Sequence, residues 1–186
     1  MATFIPPAST DPGRAAGDVC IETIATLRTS LLMQPLYSAG MQHARWNTAR
    51  AVERVFAGWA DATSRNPRAR AVLLHPAVAR PGYWFATAAG LAWGGALSRG
   101  RLRARGGVIV ASHCPRWAFG RGGTTIGAVF LTHGDPSPAV LEHEAVHRAQ
   151  WRRYGLAFIP LYIAAGSVAR TNRFEIEAGL RKGGYT

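Results

Sequence analysis

The residues with the clearest chemical potential are His143-Glu144-Ala145-Val146-His147. On an α-helix, residues four apart share one face, so His143 and His147 can present two imidazoles to a single metal ion. Glu144 projects beside them, placed to take a proton from a water activated by that ion. In a chain with so few His and Glu, the pattern arises by chance on the order of once in a few hundred chains. Metal chemistry is therefore the first reading. Two imidazoles are one ligand short of a catalytic centre, which usually takes three protein ligands. Glu175 and Glu177 offer carboxylates downstream, after an intervening apolar segment. Zn2+ is the metal that suits two imidazoles and one carboxylate.

Competing explanations exist for several of these residues. Glu175 stands three residues after Asn172, a capping-box spacing that would account for it without metal. His113 and His133 could supply a third ligand or an oxyanion donor, but each reads more simply as a polar loop residue. Tyr154, Tyr162, His113 and Arg121 have the right chemistry to stabilise an oxyanion, and the sequence does not rank them.

The helix carrying the motif has its own start and stop signals. Ser137 occupies an N-cap position, Pro138 the first helical position, and Gly155 the position after the end. His143, His147, Gln150 and Tyr154 form one stripe; Leu141, Ala145 and Ala149 form a neighbouring apolar one that should face the core. Upstream, Gly107–Ser112 and Thr124–Thr132 have strand composition, with Trp117–Phe119 a further short strand that pairs in a hairpin. Leu156–Ala169 predicts a buried helix, followed by a last element over Thr171–Lys182.

The first half is expected to be helical. Residues 1–17 read as a disordered lead-in. A helix is predicted from Asp18 to about Leu32 and a second from Gln42 to Thr63, the latter with Trp46, Ala49, Val52, Val55, Phe56 and Trp59 as its apolar stripe. Residues 64–82 read as a loop, punctuated by Asn66-Pro67, His75-Pro76 and Pro81-Gly82. Tyr83–Leu97 predicts a buried helix, too short to span a bilayer; its basic flank, Arg99 to Arg105, also admits a membrane-surface helix.

The net charge of +12 raises the question of a nucleic-acid partner. A single lysine, Lys182, among so many arginines fits an Arg-rich composition, and no basic run interleaves with aromatics in a nucleic-acid motif. Cys20 and Cys114 belong to no CxxC unit, which excludes a zinc ribbon or an iron–sulfur cluster built from them. Unpaired thiols and the lack of a secretory signal pattern point to a cytoplasmic setting.

The combination His143-Glu144-Ala145-Val146-His147 followed by Glu175-Ile176-Glu177-Ala178 resembles the gluzincin metallopeptidases. The second piece is similar to the Glu-x-x-Ala-Asp/Asn element of integral-membrane CAAX-type peptidases and small cytosolic gluzincins. The resemblance covers roughly residues 107–182. It implies Glu175 as third ligand, with Glu177 the alternate, Glu144 as general base, and a peptide or protein substrate aligned along an edge strand by Val129, Phe130 and Leu131. Gly179 departs from the pattern: the family carries there an acidic or amide residue that braces a ligand His, a role Asn172 or Asp135 could take instead. The expected fold is α+β: a mainly helical zincin-like domain with a small hairpin or sheet beside the motif helix. A helical region over 18–106 would pack on a metal-site region over 107–186, the two forming one compact domain.

Overall fold

The computed structural model describes residues 39–119 and 122–185. The lead-in over 1–17, the helix predicted from Asp18, Cys20 and Arg121 lie outside the described residues. Helix α1 (Ala39–Arg65) is longer than its apolar pattern suggested. It packs on a later helix, α5 (Phe158–Ala164), with Phe56 and Trp59 half-buried. Val52 and Val55 are exposed, Val55 at 68%, so they do not belong to the packed stripe.

The segment over 64–82 is not a loop. The Asn66 side chain accepts hydrogen bonds from the backbone amides of Arg68 and Ala69 and caps helix α2 (Pro67–Leu73). The imidazole Nδ1 of His75 accepts from the Ala77 amide and caps helix α3 (Pro76–Leu97). Both dipeptides that looked like turns are an N-cap followed by a first-position proline, the residue that best tolerates a missing N–H there. Pro81 lies inside α3 on its exposed side, where the helix continues through it.

A four-stranded mixed sheet follows, in the order β1-β2-β4-β3. Strands β1 (Leu102–Arg105) and β2 (Val108–Ala111) form an antiparallel hairpin. The arginine run after α3 is therefore partly a strand, and its hairpin straddles residue 106. Strands β3 (Gly123–Ile126) and β4 (Val129–Thr132) form a second antiparallel hairpin, and β2 runs parallel to β4. The run Thr124–Thr132 is thus two strands, split by Gly127-Ala128. Gly127 adopts φ +62, as a tight primed turn requires. Trp117–Phe119 is turn and bend, not strand.

This order corrects the expectation about the edge. Strand β4 is interior, and Val129, Phe130 and Leu131 are at most 1% exposed. Their alternation builds the core. Val129 and Leu131 join Ala111, Leu91 and Trp93 on the α3 side. Phe130 joins Val108, Val110 and Leu141 on the opposite side, under helix α4 (Pro138–Tyr154). Gly90 lets α3 lie directly on the sheet, since a Cβ there would come within 2.7 Å of the Ile126 carbonyl. The two edge strands are β1 and β3, and β3 is the one that hydrogen-bonds to β4.

After α4, a 3-10 turn (Gly155–Ala157) leads into α5, which stops at Ala164, well short of the predicted Ala169. The last helix, α6 (Arg173–Ala178), is also shorter than expected. Tyr83, Trp151, Phe158 and Phe174 tie α3, α4, α5 and α6 into one core. The fold is α+β, and no helix among the described residues is long and apolar enough to cross a membrane.

Candidate metal centre

Two helices, each with a side-chain cap, set the site. On α4, Ser137 Oγ accepts from the Val140 amide, and Gly155 at φ +56 ends the helix. Its inner face buries His143, Glu144, His147 and Gln150. On α6, Asn172 Oδ1 accepts from the Phe174 amide, while its Nδ2 donates to the carbonyls of Tyr162 and Gly166. A fully buried asparagine thus joins the end of α5 to the start of α6 and aims the first turn of α6 at α4. The amide of Asn172 is used by the Val168 and Ala169 carbonyls, leaving no capping-box role for Glu175. The spacing marked the cap correctly; the glutamate serves something else.

What it serves is the histidine pair. His143 Nε2 and His147 Nε2 lie 3.0 Å apart. The Glu175 carboxylate spans them, with Oε2 3.2 Å from His143 Nε2 and Oε1 3.5 Å from His147 Nε2. All three side chains are buried, and they form the one cluster of three or more potential metal ligands among the described residues. Glu177, the alternate, is exposed and accepts instead from Gln150 Nε2.

The hydrogen bonds behind the rings establish which nitrogens face inward. Gln150 Nε2 donates to the Phe174 carbonyl and to Glu177, so Gln150 Oε1 is the atom that faces His147 Nδ1, at 2.8 Å. His147 must then carry its proton on Nδ1. His143 Nδ1 faces the Gly179 carbonyl at 3.2 Å and is protonated for the same reason. Both Nε2 lone pairs therefore point at each other and at a carboxylate. Glu175 Oε2 is buried with no hydrogen-bond donor, because the nearest nitrogen carries no proton in that tautomer. Converging lone pairs and an orphaned carboxylate oxygen repel unless a positive centre, a proton or a metal ion, sits among them. Ligand separations of 3.0 to 3.5 Å also match the edge of a tetrahedron with metal–ligand bonds of 2.0–2.1 Å, about 3.3 Å. The group could hold a metal ion.

Gly179 takes on a new meaning here. The brace on His143 is present, but it comes from the backbone carbonyl of residue 179, which needs no acidic side chain. Neither suggested substitute does this: Asn172 is occupied as a cap, and Asp135 is exposed. Gln150 braces His147. The sequence placed Gln150 on the histidine stripe without showing that its amide would bridge to α6.

Other predicted residues separate clearly. The Tyr162 hydroxyl donates to Glu175 Oε1, and its ring meets His147 edge-on. Tyr154 stacks on Phe158 and packs against Phe174, away from the cluster. His133 stacks on Phe119 and bonds the Cys114 carbonyl, and His113 is exposed at φ +60. Neither belongs to the cluster.

Glu144 lies on the same buried face. Its Oε2 accepts a 2.6 Å hydrogen bond from Thr125 Oγ1 on the edge strand. Burial pushes Glu144 above the usual carboxylate range, against the pull of His147, Thr125 and His143. Burial also works to raise Glu175, but the facing His143 and His147 rings, which donate to it once protonated on Nε2, together with the Tyr162 hydroxyl, outweigh it and hold Glu175 well below that range. For His147, burial favours the neutral ring, yet Glu175, Glu144 and Gln150 prevail and raise it. The site thus contains one carboxylate held ionised and one tuned upward. Such divergence separates a ligand or counter-ion from a proton carrier.

Two further features come from tertiary structure. Trp151 Nε1 donates to the Thr125 carbonyl, so one outward-facing acceptor of the edge strand is already used. The chain after α6 folds back over the cluster: a Cβ on Gly183 would lie 2.7 Å from His143 Cε1 and 2.9 Å from Nε2, with the Tyr185 ring nearby. Any side chain there would have to displace the His143 ring or the segment itself. Compared with known proteins, the chain matches no family model, no curated protein and no solved structure.

Proposed function

We propose that the chain is a zinc-dependent hydrolase of peptide bonds, with His143, His147 and Glu175 as the metal ligands. The observation that carries this reading is the convergence of two Nε2 lone pairs and an orphaned carboxylate oxygen in a buried cluster, with a second, upward-tuned carboxylate beside it. Bound zinc would supply Lewis acidity and a water that ionises near neutral pH. Glu144 takes a proton from the attacking water and returns it to the leaving amine, which suits a carboxylate whose protonated form is made accessible by burial. The Thr125 hydroxyl orients Glu144. Gln150 and the Gly179 carbonyl hold the rings in the tautomer a ligand needs. Edge strand β3 is the element on which an extended peptide could pair, through the backbone groups that Trp151 leaves free.

A second reading has a specific observation behind it. Gly183 and Tyr185 lie against His143 and narrow access to the cluster. A catalytically inactive metal-binding module would share the ligand set. Metal analysis and activity separate these readings. Wild type should carry about one zinc per chain and His147→Ala nearly none, as expected for three-ligand sites. Glu144→Gln should keep the metal while hydrolysis of a peptide library falls by roughly 10²–10⁴-fold. Equal metal content in wild type and His147→Ala would refute the ligand assignment. Full metal with no chelator-sensitive hydrolysis would favour the inactive module.

A further inference from the structure

Helix α3 packs one face on the sheet, and its other face is uncovered among the described residues. Apolar exposed positions on that outer face are Val78, Pro81, Trp84, Phe85, Ala88 and Ala92, with exposed Arg80 one turn before Trp84. Their spacing of three and four residues makes a continuous apolar stripe, with Trp84 64% and Phe85 67% exposed. Leu156, also exposed, adjoins it: a Cβ on Gly82 would touch Leu156 Cγ at 3.3 Å. Scattered exposed apolar residues need no explanation, but a continuous stripe on a helix of 22 residues, about 33 Å long, marks an interaction site.

The charge around the stripe identifies the partner. Between Asp61 and Asp135 the chain contains no Asp or Glu and ten arginines. Arg99 and Arg101 follow the C-terminal end of α3 directly and are exposed. Toward the other end, Arg80, Arg152 and Arg153 line a cavity of about 650 Å³ together with Tyr83 and Trp84. An aromatic-walled, arginine-rimmed cavity next to an apolar stripe fits an anionic headgroup beside acyl chains. A second copy pairing through this face would bring arginine clusters together with no carboxylate between them. Residues 1–38 carry Asp11, Asp18 and Glu22 against Arg14 and Arg28, which is little charge to complement such a rim.

We infer that the outer face of α3 docks on an anionic lipid bilayer. The helix lies in the plane of the interface, with Trp84 and Phe85 in the headgroup–acyl boundary and the flanking arginines on lipid phosphates. Because its opposite face is packed on the sheet, it rests on the membrane and does not cross it. The inference is independent of the metal centre.

The test is co-sedimentation of the full chain with phosphatidylcholine vesicles, with and without phosphatidylglycerol, across a salt series. Binding should require the anionic lipid and weaken, without vanishing, as salt rises. Trp84→Ser/Phe85→Ser should lose most of the bound fraction while keeping the wild-type circular dichroism spectrum. Arg152→Gln/Arg153→Gln should reduce the preference for anionic vesicles. Binding to neither vesicle overturns the inference, as does equal binding by Trp84→Ser/Phe85→Ser. Light scattering identifies the alternative: a wild-type dimer that becomes a monomer in Trp84→Ser/Phe85→Ser, without vesicle binding, would assign the face to a second copy.

Discussion

On the inner face of α4, four polar side chains that could be solvated are instead buried: His143, Glu144, His147 and Gln150. On the outer face of α3, two large aromatic side chains that could be buried are exposed. Each helix departs from the usual partition of residues, in opposite directions. A buried titratable group is costly unless it is paired, and an exposed apolar stripe is costly unless it is covered. At the α4 site the compensation is mostly internal: Gln150, Gly179, Thr125 and Tyr162 satisfy the outer atoms and leave only the atoms that converge between the two rings and Glu175. On α3 the described residues supply no cover, and the arginine rim says what would. A buried polar group thus identifies its ligand by the atoms left unsatisfied, and an exposed apolar face by the charges around it.

The sharpest way to break this contrast is to truncate neighbours on opposite faces of α3. Tyr83 is buried, and its hydroxyl accepts from Arg148 Nε. Tyr83→Ala should cost about 3–5 kcal/mol in denaturant unfolding, whereas Phe85→Ala should stay within about 0.5 kcal/mol. Comparable losses would mean that the outer face is packed.

Next in size is the outer support of the cluster. Gln150→Leu removes the acceptor on His147 Nδ1 and frees the tautomer. Zinc affinity measured by competition with a chelator should fall roughly 10–100-fold.

A pH series on the metal-free and zinc-loaded chains gives a smaller but signed effect. The raised pKa of His147 means that its contribution to metal-free stability is complete below the ordinary histidine value, about 6.5, and is lost as pH rises through the raised value. The depressed pKa of Glu175 acts at the other end: its contribution is present above the ordinary carboxylate range and disappears only in strong acid. Zinc requires deprotonated ligands, so the loaded chain should gain stability over the interval in which the metal-free chain loses it. Thermal melts with the same pH slope in both forms would contradict the ligand set.

The smallest effect is expected at Gly183. A methyl group there would press on His143, but the segment lies beyond the last helix and can yield. Gly183→Ala should change zinc affinity by about 1 kcal/mol or less. A loss as large as that of Gln150→Leu would make this segment part of the site's framework.

Much of the site was legible because its signals are local. The i, i+4 histidines, the Ser137 cap, the Pro138 start and the Gly155 stop all act within a few residues, and the observed helix has those bounds. The same local grammar misled at Asn66-Pro67 and His75-Pro76. A residue that caps the next helix looks like a turn when that helix is too short, as α2 is, or too uniformly apolar, as α3 is, to reveal its period. Strand β1 was hidden in an arginine run, because an edge strand with exposed side chains need not alternate hydrophobic and polar residues.

The sequence by itself determined the histidine pair, the neighbouring glutamate and the helix that carries them, since 3.6-residue periodicity and caps are properties of contiguous residues. The gluzincin resemblance already favoured Glu175 over Glu177; only the tertiary structure showed Glu175 beside the histidine pair, because that depends on how Asn172 sets the direction of α6 against α4. It also split the run Thr124–Thr132 into edge strand β3 and interior strand β4, which carries Val129, Phe130 and Leu131, since strand order is a matter of non-local pairing. It supplied the brace on His143 from the carbonyl of Gly179, an atom every residue has and no side-chain pattern can announce.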